Sequence, residues 1–237
     1  MSGETIQRVL EQVRHETLKR GQVAAIKARV AGLHGAALRE ALKTANYYER
    51  ALNAAVLEFY RGGDAGEFID EMVRLIEQQF ERAWNEGGRD VGIQPKDHTD
   101  EDDEELQRHI DNELDHVLDF AQGIEQARIN GDSVKPFQAR VSLWVNRYNE
   151  MVNAAKLWFG RKERLEWELG ATEEHCEQCF ALNGVIATAE AWAESGYHPQ
   201  GAPNGMLECG GWHCDCDLTP TKKPATDKQP GDVKPHG

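Results

Sequence analysis

All five cysteines of this 237-residue chain fall between residues 176 and 216, as Cys176-Glu-Gln-Cys179 followed, after 29 intervening residues, by Cys209-Gly-Gly-Trp-His-Cys214-Asp-Cys216. A disulfide-stapled domain spreads an even number of cysteines over a short chain. Here the number is odd and the whole set is confined to one segment, which points to local metal binding in a reducing compartment. A Cys-x-x-Cys turn brings two sulfurs to one side, and zinc takes four such ligands tetrahedrally without further geometric demands. One structural zinc ion on four of the five cysteines is therefore expected. Cys176, Cys179, Cys209 and Cys214 are the first set, with Cys216 or His213 competing for the fourth place. Glycines at 205, 210 and 211 let the backbone turn closely around the ion. A closed four-ligand site leaves no position for a substrate. Two disulfides with one free thiol, or reduced cysteines packed in a small core, are the competing readings.

The rest of the chain has helical periodicity. Ile6, Val9, Leu10, Val13 and Leu18 define one apolar face, which Gly32 and Gly35 end. An alanine-rich helix through Leu38, Leu42, Leu52, Val56 and Phe59 closes at Arg61-Gly-Gly-Asp64, a stop followed by a cap. Phe68, Met72, Leu75, Ile76, Phe80 and Trp84 make a third helix, predicted to stop at Gly87-Gly88. After Pro95, Thr99-Asp-Glu-Asp102 has capping-box spacing, and the acidic run around it sits where the helix dipole favours it. That helix carries Leu106, Ile110, Leu114, Val117 and Ile124 and ends near Asn130-Gly131. The last opens near Pro136 and presents Val141, Trp144, Tyr148, Val152, Ala155 and Phe159. The fold class is thus mainly α: a helical bundle over 1–164, a small zinc-ribbon-like module over 165–220, and a proline-rich tail over 221–237 expected to be disordered.

Charge follows the same blocks. Residues 62–134 hold 6 basic and 21 acidic groups, residues 135–164 hold 7 and 2, and residues 165–220 hold 10 acidic groups and no Lys or Arg. The net charge of -14 excludes a polybasic nucleic-acid protein. Lys135, Arg140, Arg147, Lys156, Arg161, Lys162 and Arg164 either lie against the acidic stretch 99–125 or face an anionic partner. A DNA-binding zinc module using helix 135–164 is the alternative function. No apolar run approaches the ~18 residues of a membrane-spanning helix, and no signal-peptide core opens the chain. A soluble, unexported protein is expected.

Catalytic patterns fail on spacing. His175-Cys-Glu177 offers the His-x-Glu half of a zinc deaminase, but its Cys-x-x-Cys overlaps that motif instead of following it. Ten acidic groups without a cation oppose a reactive thioredoxin-type thiolate. Glu113-Leu-Asp-His116 has the spacing of a di-iron bundle, but no second Glu-x-x-His exists. Phosphate-loop, dinucleotide and nucleophile-elbow motifs are absent from the sequence. No enzyme activity is expected.

The order Phe80-Glu-Arg-Ala-Trp84-Asn-Glu-Gly87, then Ala139-Arg-Val-Ser-Leu-Trp144-Val-Asn-Arg-Tyr148, then Trp167-Glu-Leu-Gly-Ala-Thr172-Glu-Glu-His-Cys176-Glu-Gln-Cys179 resembles tailed-phage head morphogenesis proteins of the Mu F-like minor capsid group. The ending Cys214-Asp-Cys216-Asp-Leu218, after the loop His198-Pro-Gln-Gly-Ala-Pro203, is similar to that family's terminal Cys-x-Cys. The likeness covers about residues 65–220. It implies a non-enzymatic structural role at the inner capsid face near the portal, in the virion and, during assembly, in the host cytoplasm. Portal and major capsid proteins are the implied partners, with self-association compatible and no membrane involved. The matching cysteines are 176, 179, 214 and 216, while Cys209 stands where many relatives have a histidine. Asp215 replaces the family's usual Arg, which weakens a nucleic-acid role for that loop.

Overall fold

Apolar residues at three- and four-residue steps, punctuated by glycine and proline, give six α-helices in a computed structural model that describes residues 45–170, 175–212, 214 and 216–236. The helix expected over Ile6–Leu18, its Gly32 and Gly35 stop, and the first part of the alanine-rich helix lie outside the described residues. The helices are α1 (Ala45–Tyr60), α2 (Ala65–Asp90), α3 (Asp100–Asn130), α4 (Lys135–Phe159), α5 (Glu177–Leu182) and α6 (Ala189–Ser195). Three short strands accompany them, β1 (Arg164–Glu168), β2 (Ile186–Thr188) and β3 (Asp217–Pro220). The predicted cap at Asp64 forms, its Oδ1 accepting the amides of Gly66 at 2.8 Å and Glu67 at 3.2 Å, so two N–H groups orphaned by the start of α2 are satisfied.

The chain divides into two compact units, Met1–Gln79 with Asp100–Val145, and Phe80–Thr99 with Asn146–Gly237, so α2 and α4 contribute to both. In the first unit Phe120 collects the aromatic side chains. Its ring centroid lies 6.4 Å from that of Phe68, 5.7 Å from Phe137 and 4.7 Å from Trp144. Phe68 in turn stacks on Phe59 across the turn between α1 and α2 at 4.7 Å. Such offset and edge contacts add about 0.5–1.5 kcal/mol per pair beyond area burial. Two buried polar side chains here pair with Trp144. The Trp144 indole donates to Glu113 Oε2 at 3.1 Å, and the Gln79 amide donates to the Trp144 carbonyl at 2.7 Å. Glu113 is thus a core acceptor, while His116 is exposed.

In the second unit, α2 runs through Gly87-Gly88 to Asp90, contrary to the predicted stop. The reason is tertiary: a Cβ at Gly87 would lie 2.2 Å from the Val152 carbonyl oxygen and 2.7 Å from the Ala155 Cβ, so these glycines let α2 approach α4 instead of ending it. Trp84, fully buried, packs on Phe159 with centroids 5.1 Å apart. Beyond α4, the alternation in Arg164-Leu-Glu-Trp-Glu168 buries Leu165 and Trp167, and β1 becomes the central strand of an antiparallel sheet ordered β2-β1-β3. Leu165 pairs with Ala187, and Trp167 pairs with Leu218. Trp192 from α6 closes the core, its ring 5.6 Å from Trp167 and its indole donating to the Leu165 carbonyl at 3.0 Å.

The expectation of a disordered tail is corrected. Thr226 donates its amide to the Ile186 carbonyl at 3.0 Å and accepts the Ile186 amide on Oγ1 at 3.0 Å, which extends the β2 edge. Val233 is buried in the module core, and its carbonyl accepts the Tyr197 hydroxyl at 3.0 Å. Two buried side chains, Pro230 and Val233, and a few backbone bonds dock a segment whose composition is otherwise that of a solvated tail.

Candidate metal centre

Each cysteine is delivered by a different local device. Cys176 sits at the N-cap of α5, its sulfur accepting the Cys179 amide at 3.5 Å, and one turn of that helix carries Cys179 to the same side. Cys209 lies in a chain of tight turns in which Gly210 donates to the Leu207 carbonyl and Trp212 to the Cys209 carbonyl. Gly211 takes φ +78°, and a Cβ there would meet the Gly201 backbone at 3.0 Å, so only glycine lets this loop pass. Cys216 immediately precedes β3 and is buried with Cys179 in the module core. Two hydrogen bonds clip the cysteine loops together, Glu208 N to Gln178 Oε1 at 3.1 Å and Glu177 N to Glu208 Oε2 at 3.4 Å.

All five cysteines are free thiols and converge. The Cys176 and Cys209 sulfurs are 3.6 Å apart, and the Cys179 and Cys214 sulfurs 3.8 Å. Cys176, Cys179 and Cys209 lie within 4.8 Å of one another, as do Cys179, Cys214 and Cys216. Every predicted cysteine is therefore at the centre, and Cys216, expected only as a competitor, is an equal member. His213 lies outside the described residues. A soft donor set of this kind suits zinc and other thiophilic ions.

The environment divides the sulfurs electrostatically. Contacts with Cys179 and then Cys214 hold the Cys216 thiol down at about 3, helped by the Gly170 amide and the Trp167 indole. Burial opposes ionisation of Cys176, but hydrogen bonding from Cys179 and Cys209 brings it below the usual thiol value. Cys179 is pushed far up by its contacts with Cys214 and Cys216 and by burial. Burial raises Cys209 to about 12. Without metal the centre mixes thiolates with thiols, so filling it releases protons.

Three contributors escaped the sequence reading. The indole N–H of the fully buried Trp167 makes no hydrogen bond within the described residues, and its nearness helps to lower the Cys216 thiol pKa. His175 Nδ1 lies 3.9 Å from the Cys216 sulfur. Lys156, 2% exposed, donates from α4 to both carboxylate oxygens of Asp217, at 3.0 and 3.2 Å, and to the Leu218 carbonyl at 2.9 Å, which anchors the segment following Cys216. The alternation of Leu165 and Trp167 was the available signal for the first of these.

The basic stretch is largely occupied within the chain. Arg147 is salt-bridged to Glu150 and donates to the Ala202 carbonyl. Arg140 lies over the Phe120 ring, Arg161 over Trp158, and Arg164 donates to the Lys222 carbonyl at 3.2 Å. Asp90 and Asp217 are carboxylate partners of Lys156, and Glu150 of Arg147. Within residues 99–125, Glu113 faces α4 and accepts the Trp144 indole N–H at 3.1 Å.

No protein-family model, no curated protein and no solved structure matches this chain. Among the described residues no helix is long and apolar enough to cross a membrane.

Proposed function

We propose that this chain is a structural or assembly protein of a tailed-phage head, a minor capsid or head morphogenesis protein acting near the portal and the inner capsid face, in which the cysteine cluster binds zinc and pins a zinc-ribbon-like module. The observation that carries the reading is the convergence of Cys176-x-x-Cys179 and Cys214-x-Cys216, the motif pair of the resemblance, with Cys209 beside them. The zinc has a structural task in this reading. Zinc-bound thiolates tie the turn before α5 to the strand β3, which a core of this size holds only weakly by burial alone.

The resemblance motifs supply further support, because their aromatic residues have structural work: Trp84, Trp144 and Trp167 are all buried. The proposed partners are the portal and major capsid proteins, and the proposed locations are the virion and, during assembly, the host cytoplasm. No catalytic step belongs to this function. The DNA-binding alternative draws less support, because Lys156 is buried and Arg147, Arg161 and Arg164 have partners within the chain. The test is peptide mass spectrometry of purified particles of the phage that encodes the chain, together with electron microscopy of lysates lacking it. Peptides in the particle and aberrant heads without the protein are expected. Its absence from particles, with normal heads formed without it, overturns the reading.

A further inference from the structure

The five sulfurs meet as two triangles with one common corner: Cys176, Cys179, Cys209 form one, Cys179, Cys214, Cys216 the other, and only Cys179 belongs to both. A single tetrahedral ion with metal–sulfur bonds of about 2.3 Å holds four sulfurs mutually ~3.8 Å apart, in all six pairs. Here the short pairs, Cys176 with Cys209 at 3.6 Å and Cys179 with Cys214 at 3.8 Å, fall in different triangles. Two triangles sharing a corner are the donor arrangement of two ions bridged by one thiolate.

The placement of Cys179 fits the shared role. It follows Cys176 by one helical turn, on the side of the first triangle, and its sulfur lies 3.8 Å from that of Cys214 in the second. Charge balance points the same way. Five thiolates leave an excess of three negative charges around one divalent ion and of one around two, in a segment, 165–220, that contains no Lys or Arg.

We propose that the cluster binds two divalent ions of the zinc class, one on Cys176, Cys179 and Cys209 and one on Cys179, Cys214 and Cys216, with Cys179 as the shared thiolate. This rests on the metal–thiolate part of the function proposed above, with a bridged pair in place of the single four-thiolate ion that the sequence leads one to expect. Beside the second ion His175 holds Nδ1 3.9 Å from the Cys216 sulfur, outside the group of three, and would have to shift to ligate there. At the first ion no fourth donor is grouped with the three sulfurs among the described residues, and water fills the place.

The experiment is native mass spectrometry of the full reduced chain after loading with zinc alone and desalting. Two zinc ions per chain are expected. One ion overturns the bridged pair and leaves the metal centre standing; none overturns both. Cys209→Ser and Cys216→Ser are each expected to retain one ion, and Cys179→Ser to lose both at a zinc concentration that saturates the others. If Cys209→Ser and Cys216→Ser both keep the wild-type count, the sulfurs are interchangeable around one ion and the proposal fails. Cadmium-113 NMR of the wild-type chain gives an answer independent of any variant's folding. Two resonances split by coupling through the common sulfur are expected, and a single resonance overturns the pair.

Discussion

The ammonium of Lys156 and the carboxylate of Asp217 meet at 3.0 Å, and they differ sharply in exposure: the lysine side chain is 3% exposed and the aspartate 48%. Loss of either partner therefore has unequal consequences. Lys156→Met leaves a carboxylate that water can reach and one orphaned carbonyl, Leu218, a loss of about 1–3 kcal/mol. Asp217→Asn leaves a buried cation whose remaining carboxylate is Asp90 at 3.6 Å, a loss of about 3–5 kcal/mol. Urea unfolding followed by tryptophan fluorescence is expected to rank the two variants in that order.

Gly87→Ala inverts the usual helix rule. Alanine in a helix interior gains up to ~1 kcal/mol over glycine. At this position the added methyl meets the Val152 carbonyl oxygen at 2.2 Å, so α2 and α4 must separate along this contact. A net loss of about 2 kcal/mol or more is expected, of the size seen for overpacked cores. A urea midpoint equal to or above that of the wild type contradicts the packing described for this glycine.

Metal removal is expected to act locally. With the ions chelated under reducing conditions, amides of β1, β2 and β3 should lose hydrogen-exchange protection, while those of α1 and α3 keep theirs. Exchange mass spectrometry resolves the two sets. Equal loss of protection in α1 and α3 excludes a local role for the metal.

The His198 imidazole, in contact with the Ala193 carbonyl, has its pKa lowered from 6.5 by burial. The folded state then binds fewer protons than the unfolded state once the pH falls below 6.5. Stability is whole above that value, declines as pH drops through it, and levels off below the folded pKa. Acid also strips thiolate-bound metal, so the informative quantity is the difference between wild type and His198→Asn at equal metal load. The variant is expected to lose less stability between pH 7 and pH 5.5, and parallel profiles contradict the assignment.

Ending the chain after residue 224 removes the Thr226 pairing from β2 and Val233 from the module core. Loss of the buried valine alone is worth about 1.5–3 kcal/mol, and the bare edge of β2 becomes available for intermolecular pairing. Lower thermal stability and concentration-dependent association in size-exclusion chromatography are expected.

The helices were legible because each carries a long apolar stripe and a chemical terminator, as Asp64 and Gly131 illustrate. Gly87-Gly88 was misread for a reason no local pattern holds: the same glycine pair that ends a solitary helix also lets two helices touch, and only α4 decides between them. The cysteine cluster was legible as a candidate donor set, because thiol-rich spacing has few other chemical uses. Its grouping was not, since spacing says which sulfurs are near in sequence, whereas Cys176 meets Cys209 and Cys179 meets Cys214 through the folding of the intervening chain. Glu113 read as part of a weak metal motif and proved to be an acceptor for Trp144, a partner 31 residues away. The docked tail was hidden by its composition, because backbone pairing at Thr226 leaves no trace in hydropathy.

The central place of β1 also sets an order of events. During synthesis β1 leaves the ribosome first and β2 soon after, so Leu165 and Ala187 can pair early, while Leu218 reaches Trp167 only after the whole cysteine segment has been made. Closing that distant contact carries the larger entropy cost and the slower rate. In the proposed centre, Cys214 and Cys216 would arrive together with the last strand, so completing the sheet and completing the ligand set would be one event.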